Sequence, residues 1–375
     1  MGVLGIGATT LGAGTHPRNW SLIVTAEFLR KWGNQGDGDG EFDTPAGIAL
    51  DGEGNVYVAD RGNHRIQVFA TEGRFLRKWG GLGEDDGEFD GPSGIAVDRE
   101  GRVYVADTGN GRIQMFDSEG QFLGKWGGYG DGDGQFSKPG AIAVDGEDVE
   151  FSVPMGIAVD PEGSVYVMDY GNRVQVFDPE GRLLREWGGY YDEDEEDDLS
   201  PFAFGVAVGG QGRVYCVDTG NDRIQMFDPE GRLLEEVATR GKGDGGLNAP
   251  MGLAMDGEGR LYVADSFNHR IQVFDLEGRF LCKSGTRGEG NGEFRQPMGI
   301  AVDGEGNVYV TDRLNHQIQV FNKVAVSGLT DRQRTDLELD PDDAEAHFRR
   351  GNAYSGLGQY QQAIEDYDKV IDLDP

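Results

Sequence analysis

The sequence predicts an all-β fold: a β-propeller of six four-stranded antiparallel blades closed by an N-terminal strand, followed by a short α-helical repeat tail. Three observations carry this. One unit, "VYVADRGNHRIQVF" at Val56, recurs as "VYVADTGNGRIQMF" at Val103, "VYVMDYGNRVQVF" at Val165, "VYCVDTGNDRIQMF" at Val214, "LYVADSFNHRIQVF" at Leu261 and "VYVTDRLNHQIQVF" at Val308. Within each unit, β-branched and aromatic residues alternate with others, as in strands. The 63 glycines and 13 prolines punctuate that period, so they read as turn residues rather than as a sign of disorder.

The full unit is Pro45 to Gly80. "GIALD" is an inner strand, "NVYVAD" and "RIQVF" are the second and third, and "RFLRKW" is a more polar fourth; "DGEG" and "TEG" supply the turns. Four strands per 47 residues, repeated, bury both sheet faces only when blades pack around an axis. Pro45 to Asp60, Pro92 to Asp107, Pro154 to Asp169, Pro250 to Asp265 and Pro297 to Asp312 all span 15 residues. The glycine opening each inner strand (Gly47, Gly94, Gly156, Gly205, Gly252, Gly299) suits strands crowding the axis.

The last unit lacks its fourth strand, and "AEFLRKWG" at Ala26–Gly33 is a fourth strand without a unit. Residues 27–32 are therefore expected to pair with 317–321 and close the ring. "KPGAIAVDGEDVEFS" and "VPMGIAVDPEGSVYV" read as a duplicated stretch. Gly156–Asp160 is chosen as the inner strand, and Pro139–Val153 is expected to bulge from the propeller. The expected division is a poorly ordered leader at 1–25, the propeller at 26–321, a linker with a repeat remnant at 322–340, and a helix pair at 341–375.

"GNHRIQVF", "FNHRIQVF" and "LNHQIQVF" resemble the NHL repeat of six-bladed propellers, and the resemblance covers roughly residues 26–321. Gly111 and Asp222 replace its His, Gln317 replaces its Arg, and one residue is missing near Asn172. The tail at 342–375 resembles a tetratricopeptide repeat through Gly351, Tyr354, Ala363, Tyr367 and Pro375, departing at His347, Arg350 and Val370. "LELDP" and "IDLDP" end 34 residues apart, so the tail of an earlier repeat is visible, and because such arrays need about three repeats to bury a core, more are expected in the parent chain.

A net charge of −33 argues against a nucleic-acid partner and against an anionic membrane surface. No apolar run approaches the ~20 residues of a membrane-spanning helix. "MGVLGIGATTLGAG" lacks the basic start of a signal peptide, so a cytoplasmic location is expected. Cys216 and Cys282 occupy non-equivalent repeat positions and suggest no disulfide framework.

Residues present in every blade are read as structural, because a propeller needs no active site to stand. The pairs Asp60/Arg65, Asp107/Arg112, Asp169/Arg173, Asp218/Arg223 and Asp265/Arg270, and the turn histidines His64, His269 and His316, fall in this class. Residues that break the repeat are the candidate site. Just before the opening glycine stand Ala46, Ser93, Met155, Phe204, Met251 and Met298, expected to ring the mouth of the central channel. Resemblance to the NHL-like peptidyl-amidoglycolate lyases would require metal-binding histidines there, and none is present.

The second candidate is charge. "DEDEEDD" holds Asp192, Asp194, Glu196 and Asp198, and the blade-joining loops 33–45 and 80–92 are also acidic. Such loops suit a basic partner or a divalent cation. "GDGDGEF" offers calcium alternate carboxylates, without the closing Glu of an EF-hand loop. The expected function is a non-enzymatic protein- or peptide-binding scaffold without a cofactor. The alternative is a propeller enzyme of lyase or lactonase type with a metal in the channel.

Overall fold

The computed structural model describes residues 24–25, 27–128, 133–136, 156–169, 173–188, 203–209, 212–276, 278–322 and 325–326. Within them lie six antiparallel four-stranded sheets. Blade 1 runs Pro45–Leu50, Val56–Asp60, Arg65–Phe69 and Phe75–Gly80 from inside out, and the next four blades repeat that order. Blade 6 takes three strands from the C-terminal side, Pro297–Val302, Val308–Asp312 and Gln317–Phe321. Its fourth, Phe28–Trp32, comes from the N-terminal side, with Phe28 opposite Phe321 and Trp32 opposite Ile318. The expected closure is the observed one. Asn322 N–H also donates to the Glu27 carbonyl at 2.9 Å, extending the joint.

The core lies between blades. In the second strand of blade 1, Tyr57 and Ala59 join Val103 and Val105 of blade 2, while Val56 and Val58 join Tyr309 and Ile318 of blade 6. The alternation of that strand thus reports two buried faces. Five of the blade-joining loops each plant one apolar anchor in the junction: Phe42, Phe89, Phe136, Leu247 and Phe294 are all fully buried. Phe42 stands 5.5 Å from the Phe69 ring, and Phe89 5.6 Å from Phe116.

Gly156–Val159 pairs with Val165–Met168, so the inner strand of blade 3 is the second copy of the duplicated stretch. Residues 137–155, which include the first copy, lie outside the described residues, as do the leader at 1–23 and the tail at 327–375. The described residues contain only three-residue 3₁₀ turns and no α-helix, and none is long and apolar enough to cross a membrane.

The opening glycines sit where inner strands meet. A Cβ on Gly156 would stand 2.5 Å from the Phe204 carbonyl oxygen, and one on Gly205 would stand 2.6 Å from that of Met251. Gly47, Gly252 and Gly299 face Ser93, Met298 and Ala46 more tightly still. Each glycine therefore lets one blade touch the backbone of the next.

Two outcomes follow. Deleting residues 1–33 exposes the edge of Gln317–Phe321, and is expected to lower the melting temperature by several degrees or cause aggregation; an unchanged melt of a monomer would contradict the closure. Gly252→Ala is expected to cost ~2–4 kcal/mol in chemical denaturation because the obstacle is backbone. Gly257→Ala, with open space around it, should be near neutral.

Candidate functional site: the loop-rich face and channel mouth

The turn between the second and third strands and the loop joining successive blades share one face, and a single polar network ties them together. In blade 1, Arg65 Nε donates to Asp60 at 2.7 Å. Its Nη1 and Nη2 donate to the carbonyls of Asp37, Gly38 and Glu41 in the loop leading into the blade. Gln67 donates to Glu41 O and Asp60 and accepts from Gly40 N–H; Asn63 donates to Gly36 O and Asp60. Arg112 repeats the clamp on Glu84, Asp85 and Glu88, and Arg270 on Lys242, Gly243 and Gly246. In these three blades the Asp–Arg pairs are buried and engaged in holding loops, a structural task.

The turn histidines have an equally specific task. His64, His269 and His316 sit in left-handed backbone with φ of 54, 55 and 51°. Their Nδ1 atoms accept from Gly91, Gln296 and Thr44 N–H, each in the loop leading into the following blade. They face three different junctions and do not converge. Asp222 replaces the His of blade 4 at φ 57° and accepts from Ala249 N–H at 2.6 Å, the same bond from a different side chain. Gly111 keeps the left-handed turn without an acceptor, at φ 60°. The loop that follows it carries the inserted stretch.

The acidic loops are more neutral than their composition suggests. Asp39 pairs with Lys78 at 2.7 Å, and Lys125 and Lys283 reach Asp86 and Asp244 from the fourth strands of their own blades. In "GDGDGEF", Glu41 accepts from Gly38 N–H and Asn34, and three loop carbonyls are taken by Arg65. In blades 3 and 4 the lysine position holds Glu186 and Glu236, which pair with Arg173 and Arg223. Asp192–Asp198 lies outside the described residues.

At the axis, an open-ended cavity of about 80 Å³ is lined by the inner strands, including Phe204, Met251, Met298, Ala46 and Ser93. Phe204 and Met251 are 7% and 6% exposed and pack together with Met298, so the structure unites three of the four predicted apolar ring residues. Met155 lies outside the described residues. Ala46 and Ser93 complete the ring with small side chains, and Ser93 Oγ is 2.5 Å from Thr108 Oγ1. Burial pushes the Cys282 thiol up to about 12, and the wholly buried Cys216 is also raised. Neither suits nucleophilic chemistry at neutral pH. Among the described residues no three His, Cys, Asp or Glu side chains are grouped to hold a metal.

The NHL repeat family matches residues 42–69 and 89–116, a 6-bladed beta-propeller family matches 250–337, and the tetratricopeptide repeat matches 344–375. The chain carries NHL repeats in a six-bladed propeller, with a tetratricopeptide repeat at its C-terminus. This NHL propeller is 52% identical over 44 residues to B-box type zinc finger protein ncl-1 of Caenorhabditis elegans, 12% of this chain and 5% of that one. It is 44% identical over 57 residues to human E3 ubiquitin-protein ligase TRIM32, 15% of this chain and 9% of that one. The chain therefore spans a small part of the curated relatives it matches. Among solved structures, a streptogramin B lyase aligns with a TM-score of 0.52 at 16% identity, covering 79% of this chain and 98% of the other. A gluconolactonase from Xanthomonas campestris aligns with a TM-score of 0.52 at 18% identity, covering 75% and 86%. Likeness at that identity is a likeness of fold.

Sequence reading missed the loop anchors such as Phe42 and the lysine pairs. The signal was present, since "GEF" or "GQF" precedes several blades and "KW" ends several fourth strands.

Burial, then Arg287 and Arg295, hold His269 below its ordinary 6.5. The folded state therefore binds fewer protons than the unfolded one as pH falls through about 6.5, and stability is lost in that direction. His269→Asp copies the bond of Asp222. It is expected to keep the fold at pH 7.5 and to flatten the loss of melting temperature between pH 7 and pH 5.5, as read by calorimetry. A variant with the wild-type slope would contradict the assignment.

Proposed function

We propose that this NHL propeller is a non-enzymatic scaffold that binds a protein or peptide on its loop-rich face, with the helical repeat tail as a second recognition surface. One observation carries the reading: the polar residues that recur on that face are consumed in clamping loops. What remains to vary are the residues that break the repeat, Met155, Phe204, Met251 and Met298 at the mouth and Asp192, Asp194, Glu196 and Asp198 on one loop. NHL relatives such as TRIM32 support a protein-interaction role by analogy. The partner of the acidic loop is a basic protein segment, with a divalent cation as the simpler ligand. A propeller enzyme of lyase or lactonase type is the second reading, motivated by the shared fold of the solved neighbours. Against it, the described cavity lining offers glycine, apolar side chains and one serine, with no imidazole or carboxylate for a metal.

The test is affinity capture with the full chain, followed by association kinetics on the captured protein. The combined variant Asp192→Asn, Asp194→Asn, Glu196→Gln, Asp198→Asn is expected to slow association about tenfold at low salt while leaving dissociation and melting nearly unchanged. Binding insensitive to salt and to the four substitutions would move the contact to the apolar ring. Tight RNA binding at physiological salt, or turnover of a lactone, would overturn the reading.

A further inference from the structure

The turn between the second and third strands carries a glycine just before its asparagine in four blades: Gly62, Gly109, Gly171 and Gly220. In blades 5 and 6 that step is Phe267 and Leu314. In blades 1 and 2 the glycine has a local cause. A Cβ on Gly62 or Gly109 would stand 2.6 or 2.4 Å from the carboxyl group of Asp43 or Asp90, in the loop leading into the same blade. Blades 5 and 6 replace that aspartate with Asn248 and Arg295. The backbone bond beneath it is kept: Phe267 N–H donates to the Asn248 carbonyl and Leu314 N–H to the Arg295 carbonyl, both at 3.1 Å. The exchange makes room for a side chain, but nothing in it calls for a large apolar one. Phe267 is 42% exposed, and Leu314 is half-buried.

The loops beside these two residues differ in charge as well. Loops 33–45 and 80–92 carry net charges of −4 and −5, whereas 238–250 and 285–297 carry +1 and 0. The step held by Gln35 and Leu82 becomes Arg240 and Arg287, both exposed. The clamp fixes each arginine beside an apolar residue. Asn268, next to Phe267, donates to the Gly241 carbonyl at 2.9 Å, and Asn315, next to Leu314, to that of Gly288 at 2.8 Å. Loop 285–297 is also pinned to blade 5, since Gln296 N–H donates to His269 Nδ1 at 3.2 Å. Arg287 and Arg295 together hold down the His269 pKa, which puts both cations by the Phe267 turn. Arg287 pairs with no carboxylate among the described residues. Arg240 and Arg295 reach Asp222 and Glu289 at 3.2 and 3.3 Å, and pairs made by exposed arginines exchange readily for another carboxylate.

Exposed aromatic side chains set among arginines are the residue types enriched where proteins meet. We propose that the blade 5 and 6 sector of the loop-rich face is a docking surface for an acidic peptide segment that carries an aromatic or leucine side chain. Its carboxylates meet Arg240, Arg287 and Arg295, and its apolar side chain packs on Phe267 and Leu314. The scaffold reading is needed here only for the use of this face; neither the acidic loop nor the channel mouth takes part.

The probe is the peptide acetyl-EEFLEE-amide, titrated into the full chain by calorimetry, with acetyl-QQFLQQ-amide and acetyl-EEAAEE-amide as counterparts. A net charge of −33 repels an acidic peptide in general, so saturable binding reports a local site. The expected Kd is on the order of 100 µM, with each counterpart at least about tenfold weaker. The combined variant Arg287→Gln, Arg295→Asp, Leu314→Gly copies blade 1 into blade 6. An aspartate at that step would stand to His269 as Asp90 does to His64, 3.5 Å away, so the variant should melt close to wild type while binding at least about tenfold more weakly. If it melts early, Arg287→Gln with Arg295→Gln decides instead, and should bind the charged and uncharged peptides alike. The combined variant of Asp192, Asp194, Glu196 and Asp198 should bind the probe as wild type does or better, so the two sites fail separately. No saturable binding, equal binding of the three peptides, or full binding by the arginine variants would each overturn the proposal and leave the acidic loop as it stands.

Discussion

The arginine clamp is the interaction on which the rest depends. A blade-joining loop is polar, rich in glycine, and has almost no apolar side chain beyond one anchor such as Phe42. It cannot hold its own shape by burial. Arg65 supplies a buried positive charge that gathers three loop carbonyls and one carboxylate at once, and a guanidinium has the fork of donors to do so. Removing it would leave Asp60 buried without its cation and the loop without its tie, a loss in the range of ~3–5 kcal/mol for a broken buried pair. A ring of sheets with short inner strands relies on such ties, because hydrogen bonds within a blade do nothing to join it to its neighbours.

Substitutions in the network are compensated locally, which supports its being one unit. Asp222 keeps the acceptor that His supplies elsewhere, in the same left-handed turn. Where Lys78 and Lys125 become Glu186 and Glu236, the arginine of the same blade turns a nitrogen to the new carboxylate. Gln317 replaces the arginine of blade 6 and still donates to Asp312 at 2.9 Å, with Asn315 and Gln319 tying the loop through Gly288 and Glu293 carbonyls. Burial raises the Asp312 carboxyl, and among the described residues no cation pairs with it. Blade 6 thus keeps its loop ties with uncharged amides in place of the arginine.

The fold was legible because its information is local and repeated six times: alternation names the strands, glycine and proline name the turns, and the unmatched strand at Phe28–Trp32 names the closure. The site was less legible. The apolar ring could be placed by counting back one residue from each glycine, and Phe204, Met251 and Met298 do meet. Charge misled, because Asp39 and Lys78 are 39 residues apart and become partners only when the blade folds. Backbone carbonyls, which receive most of the clamp, have no identity in a sequence.

Blade 6 is the closing blade, assembled from both sides of the chain, and its junction with blade 1 is reinforced by Thr311 Oγ1 donating to the Ala46 carbonyl at 2.6 Å and by His316 accepting from Thr44 N–H. These ties lie beside the four-stranded sheet whose outer strand, Phe28–Trp32, has no direct covalent link to the other three.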